Sequence, residues 1–574
     1  MNDTSIDGQM QFAKRLGDFC RQHATERSKD AVSKAAELVI MHLLSGHTCT
    51  LLDSLCEQYP GLWTKDEVRA LLQSSGVVAT TENTAPLPLT LSNSDRVYVT
   101  RLFRAEQRLA ASLRERLSKP LPALTEASQN ALRALKDQPG INEGQLVAIA
   151  AAVRASFCVI TGGPGTGKTT TVSHLLDTLR LGSPDLRIAL AAPTGKASSR
   201  LGEALALTNL ANPPKPTTLH RLLEYLPDED RFRRDRKRQL AVDVLIIDES
   251  SMIDLELLLA LFDALPADAR LVLLGDPGQL ASVGTGQVLA DLCRIAMPHE
   301  GPGRELAAFC RANIGLEITH REVDQPLANV IVSLRQNYRF NKQPGIGSFA
   351  SAVADNNAAL AMAALRHGHL DLQLKELPDP QEVVALIKEH LLASFAADSP
   401  AAALIAMDRS RILCATRKGP CSVEAANRAV EHLLRQQKHN LREPNYHGRP
   451  ILITQNDQTQ GLYNGNLGII WRKNDQCLAY FGGKGEPLRA VLPQRLPAHE
   501  TAFAMTVHKS QGSEFDHVLL WLPDRLSPLL DATLIYTAVT RAKLCAIIVG
   551  KESIVGSALR AQPDRNSGLA ELLC

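Results

Sequence analysis

The stretch Gly162-Gly163-Pro164-Gly165-Thr166-Gly167-Lys168-Thr169 fits the pattern GxxxxGK[ST]. It follows the apolar run Phe157–Ile160 and precedes TTTVSHLLDTLR, so the expected order is strand, loop, helix. Glycines there let the backbone wrap an anion with its N–H groups turned inward. The helix N-terminus adds partial positive charge. Residues Gly162 to Thr170 are thus the expected cradle for a nucleoside triphosphate. Lys168 should reach its outer phosphates, and the Thr169 hydroxyl should ligate Mg2+.

Two further strand ends carry polar groups. The run Val244-Leu245-Ile246-Ile247 ends in Asp248-Glu249. Adjacent strand residues face opposite ways, so two neighbouring acids can serve different tasks. Asp248 is expected on the metal and Glu249 on an attacking water, which points to hydrolysis rather than binding alone. The run LVLLG leads into Asp276-Pro277-Gly278-Gln279. Gln279 is read either as a sensor of the terminal phosphate or as part of a surface turn, since Asp-Pro-Gly suits turns.

The elements that must hold these groups alternate. Short β-rich runs at Phe157–Ile160, Arg187–Ala191, Val242–Ile247 and Arg270–Leu274 are separated by helical stretches. This predicts a parallel sheet covered on both faces, with a ligand at its strand ends, over 136–345. A second α/β region begins at Arg411–Thr416 and resumes at Phe503–His508, Asp516–Leu522 and Cys545–Val549, giving a second core over 346–574. Within it, about 445–500 turns β-like, with Asn-Gly and Gly-Gly turns, and reads as a small inserted barrel. Residues 1–135 read as mostly helical, from apolar spacing in segments such as Ala31–Leu44 and Val99–Leu117; a support or interaction role is expected. The insertion 225–240 packs six basic residues into Arg231–Arg238 and is either a solvated loop or a hairpin touching nucleic acid.

Composition narrows the class. The 574 residues are 45% hydrophobic and 22% charged, which excludes a wholly disordered chain. Lys+Arg of 63 against Asp+Glu of 61 leaves a net charge of +2, so any nucleic-acid site must arise from local clustering. Aromatic residues at 4% argue against a sugar-stacking surface. The eleven cysteines include no CxxC pair, which disfavours zinc and suits reduced thiols in the cytoplasm. No secretory signal and no membrane span are expected.

An ordered set of segments then becomes informative. It comprises Ala192-Pro193-Thr194-Gly195-Lys196-Ala197, Thr218-Leu219-His220-Arg221, Asp248-Glu249, Gly275–Leu280 and Leu334–Phe340. It continues with Thr506–Phe515 and Tyr536–Ala542. Together these resemble superfamily 1 helicases, and the wording of ITGGPGTGKTTTV, APTGKAS, TLHRLL, GRPILITQND, LYNGNLGI and TVHKSQGSEF is similar to the RecD family, the alpha subunits of exodeoxyribonuclease V. The likeness runs from near Gln145 to near Gly550.

The resemblance implies two RecA-like cores with ATP and Mg2+ between them and an SH3-like form for the inserted barrel. Gln145 would recognise adenine, Gln279 would couple phosphate state to DNA, and Arg339 and Arg541 would stabilise charge on the transferring phosphoryl group. Pro193, Thr194, Lys196 and His220 in one core, with Thr506, His508, Lys509 and Ser510 in the other, would line a track for single-stranded DNA held through phosphates without base reading. The resemblance also implies 5′-to-3′ movement, RecB-like and RecC-like partners in a heterotrimer, and action on duplex ends in recombinational repair. No nuclease centre is expected here; Asp371–Lys375 is only a weak echo of one. The alternatives are a standalone RecD-like helicase and a nucleotide-gated binding module that does not unwind. A conjugative relaxase is disfavoured, because no nickase-like segment precedes Gly162.

Overall fold

The computed structural model describes residues 3–81, 85–119, 124–208, 210, 212–297, 300–322, 325–340, 344–457, 459–473, 476–482, 487–562 and 565–573. Its N-terminal part combines helices with four short strands: β1 (Thr50–Leu51), β2 (Val78–Thr80), β3 (Leu89–Leu91) and β4 (Arg96–Val99), paired in the order β1-β4-β3-β2. The expectation of a helical segment over 1–135 omitted this sheet. Strands of two to four residues are too short for alternation to register. The helix Thr100–Ser118 buries Leu102, Leu109 and Leu113 against Phe157 and Leu271, so it covers one face of the sheet that follows. The helix Glu126–Lys136 buries Leu132 and Leu135 on the opposite face.

The first core contains β5 (Phe157–Gly162), β6 (Ile188–Ala192), β7 (Thr217–Thr218), β10 (Val244–Ile247), β11 (Arg270–Gly275) and β12 (Ile331–Leu334). They pair in parallel in the order β12-β5-β11-β10-β6-β7. Burial alternates between the faces: Val159, Leu245 and Leu273 join one core, and Ile160, Ile246 and Leu274 the other. This two-sided burial is why the strands read as unbroken apolar runs. Between β7 and β10, a hairpin of β8 (Tyr225–Leu226) and β9 (Arg231–Phe232) stands off the sheet.

The second core contains β13 (Leu372–Lys375), β14 (Ser410–Cys414), β20 (Ala504–Thr506), β21 (Phe515–Trp521) and β22 (Ala542–Val549). They too are parallel, in the order β13-β22-β21-β14-β20. Inserted before β20 lie β15 (Pro450–Ile453), β16 (Leu467–Lys473), β17 (Gln476–Phe481), β18 (Arg489–Val491) and β19 (His499–Thr501). This insertion is an antiparallel sheet in the linear order β18-β17-β16-β15-β19. One face has its own core around Ile451, Ile470 and Phe481. Ile469 and Trp471 on the other pack against Leu404 and Met407.

The cores meet through Leu280, just past β11, which is buried among second-core residues such as Val507 and Tyr536. Its backbone N–H donates to Thr537 Oγ1 at 2.9 Å and its carbonyl accepts from Gln511 Nε2 at 2.8 Å. The chain's end returns to the first core. Glu106 on the Thr100 helix accepts from Ser567 Oγ at 3.0 Å and Gly568 N at 3.1 Å, and also binds Thr48 and Tyr98.

Candidate functional site

The Gly162–Thr169 loop joins β5 to the helix Lys168–Gly182. Gly165 and Gly167 have φ of +81° and +85°, where a side chain is strained. Space makes the same demand. A Cβ on Gly165 would lie 2.3 Å from Arg339 Cβ, and one on Gly167 would lie 2.5 Å from Gln145 Nε2. Lys168 folds back, donating to the carbonyls of Gly162 at 2.5 Å and Gly163 at 3.0 Å. Thr166 Oγ1 donates to Gly163 O at 2.8 Å, and Asn337 Nδ2 to Pro164 O at 2.8 Å, so the loop is braced from within and from the segment after β12. Gln145 is buried; it caps its own helix through Asn142 and donates weakly to Gly167 O at 3.4 Å.

Thr169, Thr170, Asp248, Glu249, Gln279, Arg339 and Arg541 all line one cavity of about 550 Å3 above this loop. Burial, then the neighbouring Glu249 charge, raises the Asp248 carboxyl above the ordinary aspartate range. Its Oδ1 accepts from Glu249 N at 2.9 Å. Glu249 has φ +54°, uncommon for a residue with a side chain; the sharp turn re-aims the chain directly after β10. A buried acid that resists ionising and shares a cavity with Thr169 suits a cation, whose charge would favour the carboxylate.

Arg541 settles the geometry of the far wall. It is 2% exposed and lies at the seam between the cores. Its Nη1 donates to Ser513 O at 3.2 Å and its Nη2 to Gln279 Oε1. Gln279 Nε2 donates to Asp276 Oδ2 at 3.0 Å, and Tyr536 OH reaches the same oxygen at 3.0 Å. The Asp276 turn is therefore buried at the seam, not solvated, which excludes its reading as a surface turn. Arg339 Nη2 pairs with Glu514 Oε1 at 2.6 Å. Of the arginines lining this cavity, Arg339 and Arg541 each have a guanidinium atom, Nη1 and Nε respectively, buried with no hydrogen-bond partner among the described residues. Buried cationic N–H groups without acceptors are costly, so both atoms suit an anionic ligand such as a phosphate oxygen.

The residues expected along a DNA track fall into two groups. Thr194 caps the helix Gly195–Ala206, accepting from Ala197 N at 3.2 Å, and Pro193 precedes it. Lys196 on that helix has its ammonium 5.9 Å from the centre of the Phe515 ring. Thr506 ends β20 and accepts from Lys509 N at 3.3 Å, while Lys509 Nζ binds Glu500 at 2.5 Å. His508 lies between them, and burial lowers its pKa. The structure does not present Ser510 to a ligand: it is fully buried and donates to Val507 O at 2.7 Å. His220 joins the hairpin, with its ring centre 5.4 Å from Tyr225 and 5.8 Å from Phe232. Several hairpin arginines have acids beside them: Arg231 with Glu229, Arg234 with Glu224, and Arg236 with Asp263. Asp371 accepts from Gly345 N and Ile346 N at the start of the earlier helix Pro344–Ala354, which gives it a structural task. Among the described residues no cluster of His, Cys, Asp and Glu could hold a metal of its own.

Comparison with known proteins fits this geometry. An AAA domain model matches residues 145–285, and a UvrD-like helicase C-terminal domain model matches 501–549. The "RecBCD enzyme subunit RecD" of Haemophilus influenzae is 32% identical, covering 99% of this chain and 97% of its own length. The chain belongs to the RecD family. The RecD of Mycolicibacterium smegmatis is 40% identical over 75% of each chain. The "ATP-dependent RecD2 DNA helicase" of Deinococcus radiodurans is 29% identical, covering 83% of this chain but 58% of that protein. For a RecD chain, the structure adds two charged cleft residues to which the sequence analysis gave no role, Arg200 and Glu514. Arg200 is one helical turn past Lys196. Glu514 falls within the Thr506–Phe515 segment, and burial would raise it, but Arg200 and then Arg339 hold it down at about 2. Arg200 had only its spacing from Lys196 as a sign, and Glu514 only its place within that segment.

Proposed function

We propose that this RecD-family chain is the ATP-hydrolysing, 5′-to-3′ DNA helicase subunit of an exodeoxyribonuclease V of the RecBCD type. The carrying observation is Arg541, buried at the seam with an unpartnered N–H and bound to Gln279. An arginine in that position acts only while the cores are closed, which links phosphate chemistry to their relative motion.

Each residue then has a task. The loop N–H groups and Lys168 hold the phosphates, with Lys168 leaving the Gly162 and Gly163 carbonyls to do so. Thr169 and Asp248 would hold magnesium, which supplies charge neutralisation on phosphate oxygens. Glu249 orients and deprotonates the attacking water. Arg339 and Arg541 stabilise the charge that develops on the transferred group. Gln145 would contact the base. Pro193, Thr194, Lys196, Thr506, His508 and Lys509 would hold the strand's phosphates, with His220 and the 225–240 hairpin at one end of that track. Hydrolysis relaxes the seam, and alternate closure advances the strand.

The finer assignments belong to the same reading. We take residues 1–135 as the region that docks on RecB-like and RecC-like subunits, and 136–345 and 346–574 as the two RecA-like cores. The 445–500 insertion is taken as an SH3-like module, and the complex as cytoplasmic, acting on duplex ends. A standalone helicase fits less well, because RecD subunits match this chain at 32% and 40% identity against 29% for the RecD2 helicase. The test is unwinding of duplexes bearing 5′ or 3′ single-stranded tails, by the chain alone and with its partner subunits. Unwinding from a 5′ tail that Lys168→Ala abolishes is expected. Unwinding that survives Lys168→Ala would overturn the motor assignment.

A further inference from the structure

We propose that Arg200 is a positioning residue for hydrolysis: by sharing the Glu514 carboxylate it lets Arg339 leave for the triphosphate, and it ties that exchange to the helix facing the DNA track. The proposal rests on the motor reading above and concerns a step that reading leaves open.

The geometry begins with one carboxylate and its cations. Glu514, from the second core, is bound by Arg200 and by Arg339, the latter at 2.6 Å, with Lys543 at 3.7 Å. Arg339 is needed at the phosphates, yet its Nη2 is held by Glu514 and its Nη1 has no partner. An arriving phosphate must therefore compete with Glu514 for one guanidinium. Removing Arg200 would leave Arg339 as the closest cation on that carboxylate and place a less neutralised negative charge beside the incoming anion. Both changes oppose transfer of Arg339.

The helix bearing Arg200 makes successive contacts with the loop before β21. Lys196 stands over Phe515, Ala197 lies 3.4 Å from where a Cβ on Gly512 would be, and Arg200 binds Glu514. Positions 196, 197 and 200 share one helical face. The same helix starts at the Thr194 cap, and the loop it touches follows His508–Ser510. A strand that shifts the Thr194–Lys196 end would shift Arg200 against Glu514 as one rigid element. That gives DNA occupancy a physical route to Arg339.

Charge counting makes the test specific. Arg200, Glu514 and Arg339 together carry one net positive charge. Arg200→Ala reduces it to zero, and adding Glu514→Gln restores it. The full-length chain, alone and with RecB-like and RecC-like subunits from the same source, is assayed for ATP hydrolysis with and without oligo-dT. Arg200→Ala should lower kcat about tenfold with little change in KM, an effect on transition-state charge rather than on binding. Arg200→Lys should retain most activity, and Arg200→Ala/Glu514→Gln should recover most of the loss. Glu514→Gln alone should raise hydrolysis without DNA and so shrink the stimulation by DNA. Unchanged kcat in Arg200→Ala, a double variant no better than Arg200→Ala, or an equal loss in Arg200→Lys would each overturn the proposal. Melting temperatures within a few degrees of wild type establish that the variants are folded. Hydrolysis that Lys168→Ala lowers about a hundredfold establishes the nucleotide site separately; hydrolysis indifferent to Lys168 would overturn the motor reading and this proposal together.

Discussion

In the first core the part of the cavity wall placed to hold phosphates is local in sequence: the Gly162–Thr169 loop, the helix start at Lys168, and the acids directly after β10. In the second core the wall is two long side chains, Arg541 and Glu514, reaching back across the seam. The first wall is set by neighbours in sequence, so it exists whether or not the cores close. The second depends on partners far along the chain, such as Gln279 for Arg541 and Arg200 for Glu514. A permanent cradle faces a conditional lid, and conditional contacts are what a motor needs to convert phosphate chemistry into movement.

The sharpest way to break this contrast is Arg541→Ala. If the lid acts only on the transition state, kcat for ATP should fall about a thousandfold while KM changes little. Lys168→Ala should cost somewhat less, about a hundredfold, but it should damage KM as well, because the cradle binds both ground and transition states. Steady-state hydrolysis across a range of ATP concentrations separates the two patterns. Equal KM effects in both variants would mean that the walls do not differ in the way described.

The same contrast explains what the sequence made legible. The cradle was readable because its glycines, Lys168 and Thr169 are adjacent and the strand before them is a continuous apolar run buried on both faces. Asp248 and Glu249 were readable for the same reason. Arg339 and Arg541 could be assigned only through resemblance to whole motifs, since an isolated arginine carries no local pattern. Arg200 and Glu514 received no role, because each acquires meaning only when a contact between the cores forms. Ser510 shows the opposite failure: its motif placed it on the DNA track, but the tight turn of His508–Ser510 directs its hydroxyl to Val507 O. The N-terminal sheet was missed because its strands are shorter than a period-two signal requires.

A smaller effect tests the cradle alone. Gly165→Ala places a Cβ in a left-handed conformation, φ +81°, and 2.3 Å from Arg339 Cβ. The backbone strain is about 1–2 kcal/mol, and Arg339 must also move. Thermal unfolding should show a lower Tm, and nucleotide affinity should weaken. Gly419→Ala provides the comparison: its φ is +112° with nothing within 4 Å of the added Cβ. It should also lower Tm, but it should leave nucleotide affinity intact. Equal affinity in both variants would mean that the loop's close approach to Arg339 is unimportant.

The smallest effect concerns the lid in the absence of nucleotide. Glu514 is buried, which raises its pKa, but Arg200 and then Arg339 outweigh burial and hold it at about 2. A carboxyl held below its unfolded value of roughly 4.3 contributes stability that is fully present above that value. The contribution is lost as pH falls towards the folded value. Wild type should therefore melt above Glu514→Gln at pH 6, and the gap should narrow steadily below about pH 4.3. Raised salt should narrow it less than for an exposed pair such as Arg231–Glu229, because Glu514 is only 10% exposed while Glu229 is 53% exposed. A gap that stays constant across this pH range would mean that Glu514 supports the seam by shape rather than by charge. The lid would then have no electrostatic contact for a phosphate to displace.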